Sequence, residues 1–79
     1  MIHFTNHARL RMAQRGITES HVDRALAYPA RTSGGGAPGT FEAHATLELG
    51  PGVYRSIAII YTQPERARRV IVTAYWLEE

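Results

Sequence analysis

The sequence predicts an α+β domain: a short N-terminal strand, two helices, then a three-stranded antiparallel meander, in the order β-α-α-β-β-β. Two stretches between Asn6 and Tyr28 combine capping residues with helical apolar spacing. Three later stretches alternate or are rich in β-branched residues, and glycine and proline mark the breaks between them. Seventy-nine residues suffice for one hydrophobic core, so residues 1–79 are read as a single domain.

Ile2 and Phe4 flank His3 in the alternation of a short strand, and Thr5 or Asn6 then offers an oxygen to cap a helix over Asn6 to Arg15. Gly16 stands where a C-capping glycine belongs. Thr18 caps a second helix reaching Tyr28, with Ile17 and Val22 at the spacing of a hydrophobic staple. Pro29 ends that helix, because it brings no amide hydrogen and disfavours helical geometry at Tyr28. Residues 29–40 are rich in glycine and proline and are expected to form a flexible loop.

From Thr40 to Leu49 the alternation is strict. Phe41, Ala43, Ala45, Leu47 and Leu49 face one way, and Glu42, His44, Thr46 and Glu48 face the other. Gly50-Pro51-Gly52 turns the chain into a central strand over Val53 to Thr62, and Gln63 to Arg68 reads as a connection. Arg69 to Leu77 completes the meander, with Thr73 and Tyr75 on one face beside Ile71 and Leu77.

Composition narrows the function. Cysteine is absent, which removes disulfides and zinc-thiolate sites, and an apolar fraction of 44% is ordinary for a globular chain. No apolar run approaches the roughly 18 residues of a membrane span, and the N-terminus does not read as a signal peptide, so a cytoplasmic location is expected and no membrane partner. All nine cationic side chains are arginine, whose planar fork matches phosphate geometry.

His7, Arg11 and Arg15 recur at four-residue spacing and share one stripe of the first helix. A neutral imidazole there is a candidate general base, with arginines one and two turns on to bind the phosphate it works beside. Arg55 interrupts the apolar pattern of the central strand, so its charge must be paired or exposed at a cleft. Thr73 and Tyr75 supply hydroxyl donors, and Arg15 and Arg31 are assigned to substrate binding. His3 and His7 do not share a helix, which argues against a metal pair, and neither a metal nor a cofactor is expected.

The run from Phe4-Thr5-Asn6-His7-Ala8 through Arg11 and Arg15-Gly16-Ile17, then Val22, Leu26 and Pro29, resembles the opening of the small bacterial domains called DUF4258. The closing Val70-Ile71-Val72-Thr73-Ala74-Tyr75 is similar to that family's terminal strand. The resemblance implies kinship with the barnase, EndoU and RelE group of toxin-type folds. It marks His7 as the candidate catalytic histidine, Arg11 and Arg15 as its arginine companions, and Thr73 and Tyr75 as the terminal-strand contributors. The absence of lysine departs from the RelE type.

The expected function is therefore a toxin-type endoribonuclease that cuts RNA without metal through a 2′,3′-cyclic phosphate. His7, Arg11, Arg55, Thr73 and Tyr75 are its candidate catalytic residues. RNA is the expected substrate, with a cognate antitoxin or immunity protein, or a second copy of the chain, as partner. The alternatives are a non-catalytic module that uses the same arginine-rich face on a protein or nucleic acid, and a plain accessory domain.

Overall fold

Two helices and five strands follow one another in a computed structural model that describes residues 1–77; the last two residues of the predicted 1–79 domain lie outside it. β1 (Ile2–Phe4) leads into α1 (Asn6–Arg15) and α2 (Glu19–Ala27). β2 (Arg31–Gly34), β3 (Thr40–Gly50), β4 (Val53–Glu65) and β5 (Arg68–Trp76) complete the chain. The architecture is α+β as predicted, but the sheet is larger and its pairing is mixed. It has five strands in the order β1-β5-β4-β3-β2, antiparallel throughout except that β1 runs parallel to β5.

Each helix starts and stops for a local reason. The Thr5 hydroxyl accepts from the Ala8 amide at 3.0 Å and donates to the Ile71 carbonyl at 3.1 Å, so one side chain caps α1 and ties it to β5. Gly16 ends α1 with a φ of +70°, a conformation that costs glycine nothing. Thr18 opens α2 in a reciprocal capping box: its hydroxyl accepts from the His21 amide, and its own amide donates to His21 Nδ1 at 3.0 Å. Ile17 and Val22, on either side of that cap, are both buried.

The helices lie on one face of the sheet. Ala8 and Met12 of α1 and Val22, Ala25 and Leu26 of α2 share a single core with Ala43, Ala45 and Leu47 of β3, Ile57, Ile59 and Tyr61 of β4, and Ile71 and Ala74 of β5. Burying an isoleucine side chain contributes about 1.5–3 kcal/mol, so Ile57, Ile59 and Ile71, all fully buried, anchor this small core.

Three sequence expectations need correction. Residues 29–40, expected as a loop, contain β2, which pairs with β3 from Arg31↔His44 to Gly34↔Phe41. All four β2 residues are exposed, so no apolar alternation announces the strand. The hairpin closes where the Gly35 amide donates to the Thr40 carbonyl, at a spot where a Cβ on residue 35 would lie 2.1 Å from Thr40 Oγ1. Next, β4 continues through Gln63-Pro64-Glu65, with proline tolerated at an irregularity of register between Thr62 and Glu65. Finally, β5 bulges at Val72: Ile60 pairs with Thr73 but Tyr61 pairs with Ile71. The extra residue puts Ile71 in the core with Ala74, while Thr73 and Tyr75 turn to the opposite face.

Candidate functional site

The face of the sheet away from the helices gathers polar side chains into two cross-strand rows. Register places Arg31, His44, Ala58 and Tyr75 in one row, and Ser33, Glu42, Ile60 and Thr73 in the next. Adjacent strands lie about 4.8 Å apart, so His44 and Tyr75 stand roughly 10 Å apart with one strand between them. The residue on that strand is Ala58, fully buried yet outside the helix-side core. Its methyl group leaves a low floor over which the longer side chains on either side can meet.

They meet at one oxygen. Glu42 Oε2 lies 2.6 Å from His44 Nε2 and accepts the Tyr75 hydroxyl at 3.2 Å. Both partners of the Glu42–His44 pair remain about a quarter exposed, so the cluster is accessible from solvent. The hydrogen bond from His44 is the main cause that holds the Glu42 carboxyl below the usual carboxylate range. The Tyr75 hydroxyl and the charges of His44 and Arg31 add to it, against the opposing effect of burial. Tyr75 shifts the other way: burial first, then the negative charge of Glu42 and the hydrogen bond to it, raise its pKa, with Arg15 opposing.

Arginines flank the cluster. Arg31 lies directly across from His44 on β2. At the other side, β1 covers β5 only as far as Ile71, and Arg15 takes over beyond it. Its Nη1 donates to the Ala74 carbonyl at 2.8 Å and to Thr73 Oγ1 at 3.3 Å, while its own carbonyl accepts from Trp76 Nε1 at 2.7 Å. The C-terminal turn of α1 is thus pinned to β5 in both directions, and a guanidinium is held at the border of the open face.

The residues expected from the sequence divide between two places. Tyr75, Thr73 and Arg31 belong to the open face, and Arg15 reaches it from α1. His7 and Arg11 are exposed on the flank of α1, where Arg11 Nη1 donates to Gln14 Oε1 at 3.3 Å. Arg55 pairs with Leu47 and keeps step with Ile57 and Ile59, so it lies on the helix side of the sheet, opposite Tyr75. Its guanidinium sits 4.3 Å over the Trp76 ring, whose other neighbour is the His21 ring at 5.4 Å.

Sequence reasoning missed Glu42 and His44 as site residues. Their alternation with Ala43 and Ala45 marked them as the polar side of a strand, but nothing local shows that Tyr75 is their neighbour. Among the described residues no group of three His, Asp or Glu side chains is placed to hold a metal ion, and no helix is long and apolar enough to cross a membrane.

The model of one family, Domain of unknown function (DUF4258), matches residues 4–76, nearly the whole chain. No curated protein and no solved structure shows significant similarity to it.

Proposed function

We propose that this chain, which belongs to the DUF4258 family, is a small endoribonuclease whose reaction centre is the Glu42–His44–Tyr75 cluster on the open face of the sheet. The observation that carries this reading is the single carboxylate oxygen shared by an imidazole and a phenol, with arginines on both sides. A carboxylate and an imidazole in direct hydrogen-bond contact form a proton-exchanging couple, which is what transesterification of RNA requires.

The chemistry balances within that couple. The 2′-hydroxyl gives its proton to the Glu42 carboxylate as its oxygen attacks the adjacent phosphorus. The bond from phosphorus to the 5′-oxygen breaks, and that oxygen takes a proton from the His44 ring. The products are a 2′,3′-cyclic phosphate and a free 5′-hydroxyl. Proton return from Glu42 to His44 across their 2.6 Å contact restores the starting pair. Arg31, Arg15 and the hydroxyl groups of Tyr75 and Thr73 are the donors available to stabilise charge on the phosphorane. DNA lacks the attacking hydroxyl, so it binds without being cut. In a toxin-type setting, a cognate antitoxin or immunity protein would act by covering this face.

Purified protein tested in chelator on an RNA oligonucleotide, and on a copy with one 2′-deoxy position, decides the matter. Cleavage that leaves a cyclic phosphate and skips the deoxy position is expected. His44→Ala should lower the rate by about 10²–10⁴, while His7→Ala should leave most of it. A loss confined to His7→Ala would move the reaction to the flank of α1. Tight RNA binding without any cleavage would replace an enzyme with a binding module.

A further inference from the structure

Trp76 and Arg55 lie on the helix side of the sheet and take no part in the proposed reaction, yet both converge on a residue that does. The link begins at the end of α1, because a helix leaves its last carbonyls without partners of its own. The Gly16 amide donates to the Ala13 carbonyl at 3.4 Å and the Ile17 amide to the Met12 carbonyl at 2.9 Å, so the turn itself serves two of them. The Arg15 carbonyl, at the last residue of the helix, instead accepts from Trp76 Nε1 at 2.7 Å. The side chain of the same arginine reaches the Ala74 carbonyl and Thr73 Oγ1. Backbone and guanidinium are therefore both tied to one short run of β5. Nη1 makes both side-chain bonds, which leaves Nη2 and Nε for an anion.

The indole is itself held. Ile57 on β4 pairs with Trp76, and Arg55, two residues earlier on the same side of that strand, is its diagonal neighbour. The Arg55 guanidinium lies 4.3 Å over the indole ring, and the His21 ring of α2 meets it in a T-shaped contact with centroids 5.4 Å apart. An indole that turned about its side-chain bonds would carry its N–H away from the Arg15 carbonyl. Contacts from β4 and α2 oppose that rotation.

We infer that Trp76, with Arg55 stacked on it, is a positioning residue for Arg15: its N–H sets where that guanidinium stands at the border of the open face, and so how tightly the face holds phosphate. The inference rests on the endoribonuclease reading only in taking phosphate as the ligand. It gives Arg55 a role that needs no contact with substrate. Displacement of Arg15 also has a signature without any ligand. Its charge opposes the raised pKa of Tyr75, so the phenol should titrate at still higher pH when Arg15 moves away.

NMR of the full chain tests this, with inorganic phosphate as the ligand and the Tyr75 ring as the titration probe. Trp76→Phe keeps an aromatic ring and removes the N–H. It should weaken phosphate binding about two- to tenfold, the worth of one hydrogen bond, and move the Tyr75 titration upward, as Arg15→Gln should do more strongly. Arg55→Leu should weaken binding in the wild-type background and add nothing in Trp76→Phe. The chain holds one tryptophan, so its indole proton is a probe that needs no substitution. By reciprocity, saturating phosphate should slow the exchange of that proton with water. Wild-type phosphate affinity and Tyr75 titration in Trp76→Phe overturn the inference, as does indole exchange that phosphate leaves unchanged. RNA cleavage beside those negative results keeps the reaction and removes the positioning role. Positive results in a protein that cuts no RNA do the reverse.

Discussion

Replacing Glu42 with glutamine tests the open-face cluster most directly, because it keeps the side-chain volume and removes only the charge and the proton-accepting oxygen. Two hydrogen bonds end on Glu42 Oε2, from His44 at 2.6 Å and from Tyr75 at 3.2 Å. Each loses its charged acceptor. Bonds to charged groups contribute roughly 1.5–3 kcal/mol when well buried, and partial exposure of this carboxylate brings the pair to about 1–3 kcal/mol together. A chain this size has about 4–12 kcal/mol of stability to draw on, so Glu42→Gln should remain mostly folded at 25 °C. The rate should fall much further, by about 10²–10⁴, because an amide cannot take the 2′-hydroxyl proton. Urea unfolding and single-turnover cleavage of a labelled RNA oligonucleotide measure the two losses on one preparation. A variant that is folded and cuts within about threefold of the wild-type rate would refute the proton-transfer role. A variant that is unfolded at 25 °C would refute the stability reasoning.

Other perturbations follow from the same contacts. Gly35→Ala forces a Cβ into Thr40 at the β2–β3 turn and should cost about 1–3 kcal/mol in thermal unfolding; it should also weaken phosphate binding if Arg31 moves with its strand. Thr5→Val removes the α1 cap and the donor to the Ile71 carbonyl, for a loss of about 1–2 kcal/mol by denaturant titration. Burial first, with the Arg24 charge second, lowers the pKa of His21, whose Nδ1 must be unprotonated to accept from the Thr18 amide. Its contribution should be complete above the unfolded value of about 6.5 and lost as pH falls through the lower folded value. Urea midpoints measured across that window should therefore decline less in His21→Gln, which keeps a capping side chain without the titration. The lowered Glu42 pKa acts in a second, more acidic window. Its stabilisation is present above about 4.3 and disappears as pH falls through the folded value, an acid limb that Glu42→Gln should flatten.

Periodicity was a good guide wherever burial was one-sided. Both helices, the strict alternation of β3 and the apolar centre of β4 were legible because each presents one face to the core. β2 was illegible for the opposite reason: Arg31-Thr32-Ser33-Gly34 is exposed throughout and is a strand only because β3 offers it an edge. The parallel pairing of β1 with β5 joins residues nearly the whole chain apart, and no local pattern reports it. The bulge at Val72 defeated a simple alternation in β5 and put Ile71 on the wrong side of the sheet. For the site, the hydroxyl pair Thr73 and Tyr75 and the row containing Arg15 were visible as residue types at suggestive spacing. The meeting of Tyr75 with the Glu42–His44 pair depends on three strands being in register and on a small residue, Ala58, lying between them.

The placement of β5 has a consequence for how the molecule comes into being. β5, made after every other element described, fills the gap between β1 and β4, and it brings Tyr75 and the carbonyl that Arg15 grips. A growing polypeptide that lacks it can pair β2, β3 and β4 but has no seat for α1, whose inner face would stay wet. The full sheet is therefore closed late, through contacts distant in sequence, which makes for slow maturation. Whatever chemistry the open face performs is withheld until synthesis has passed residue 76.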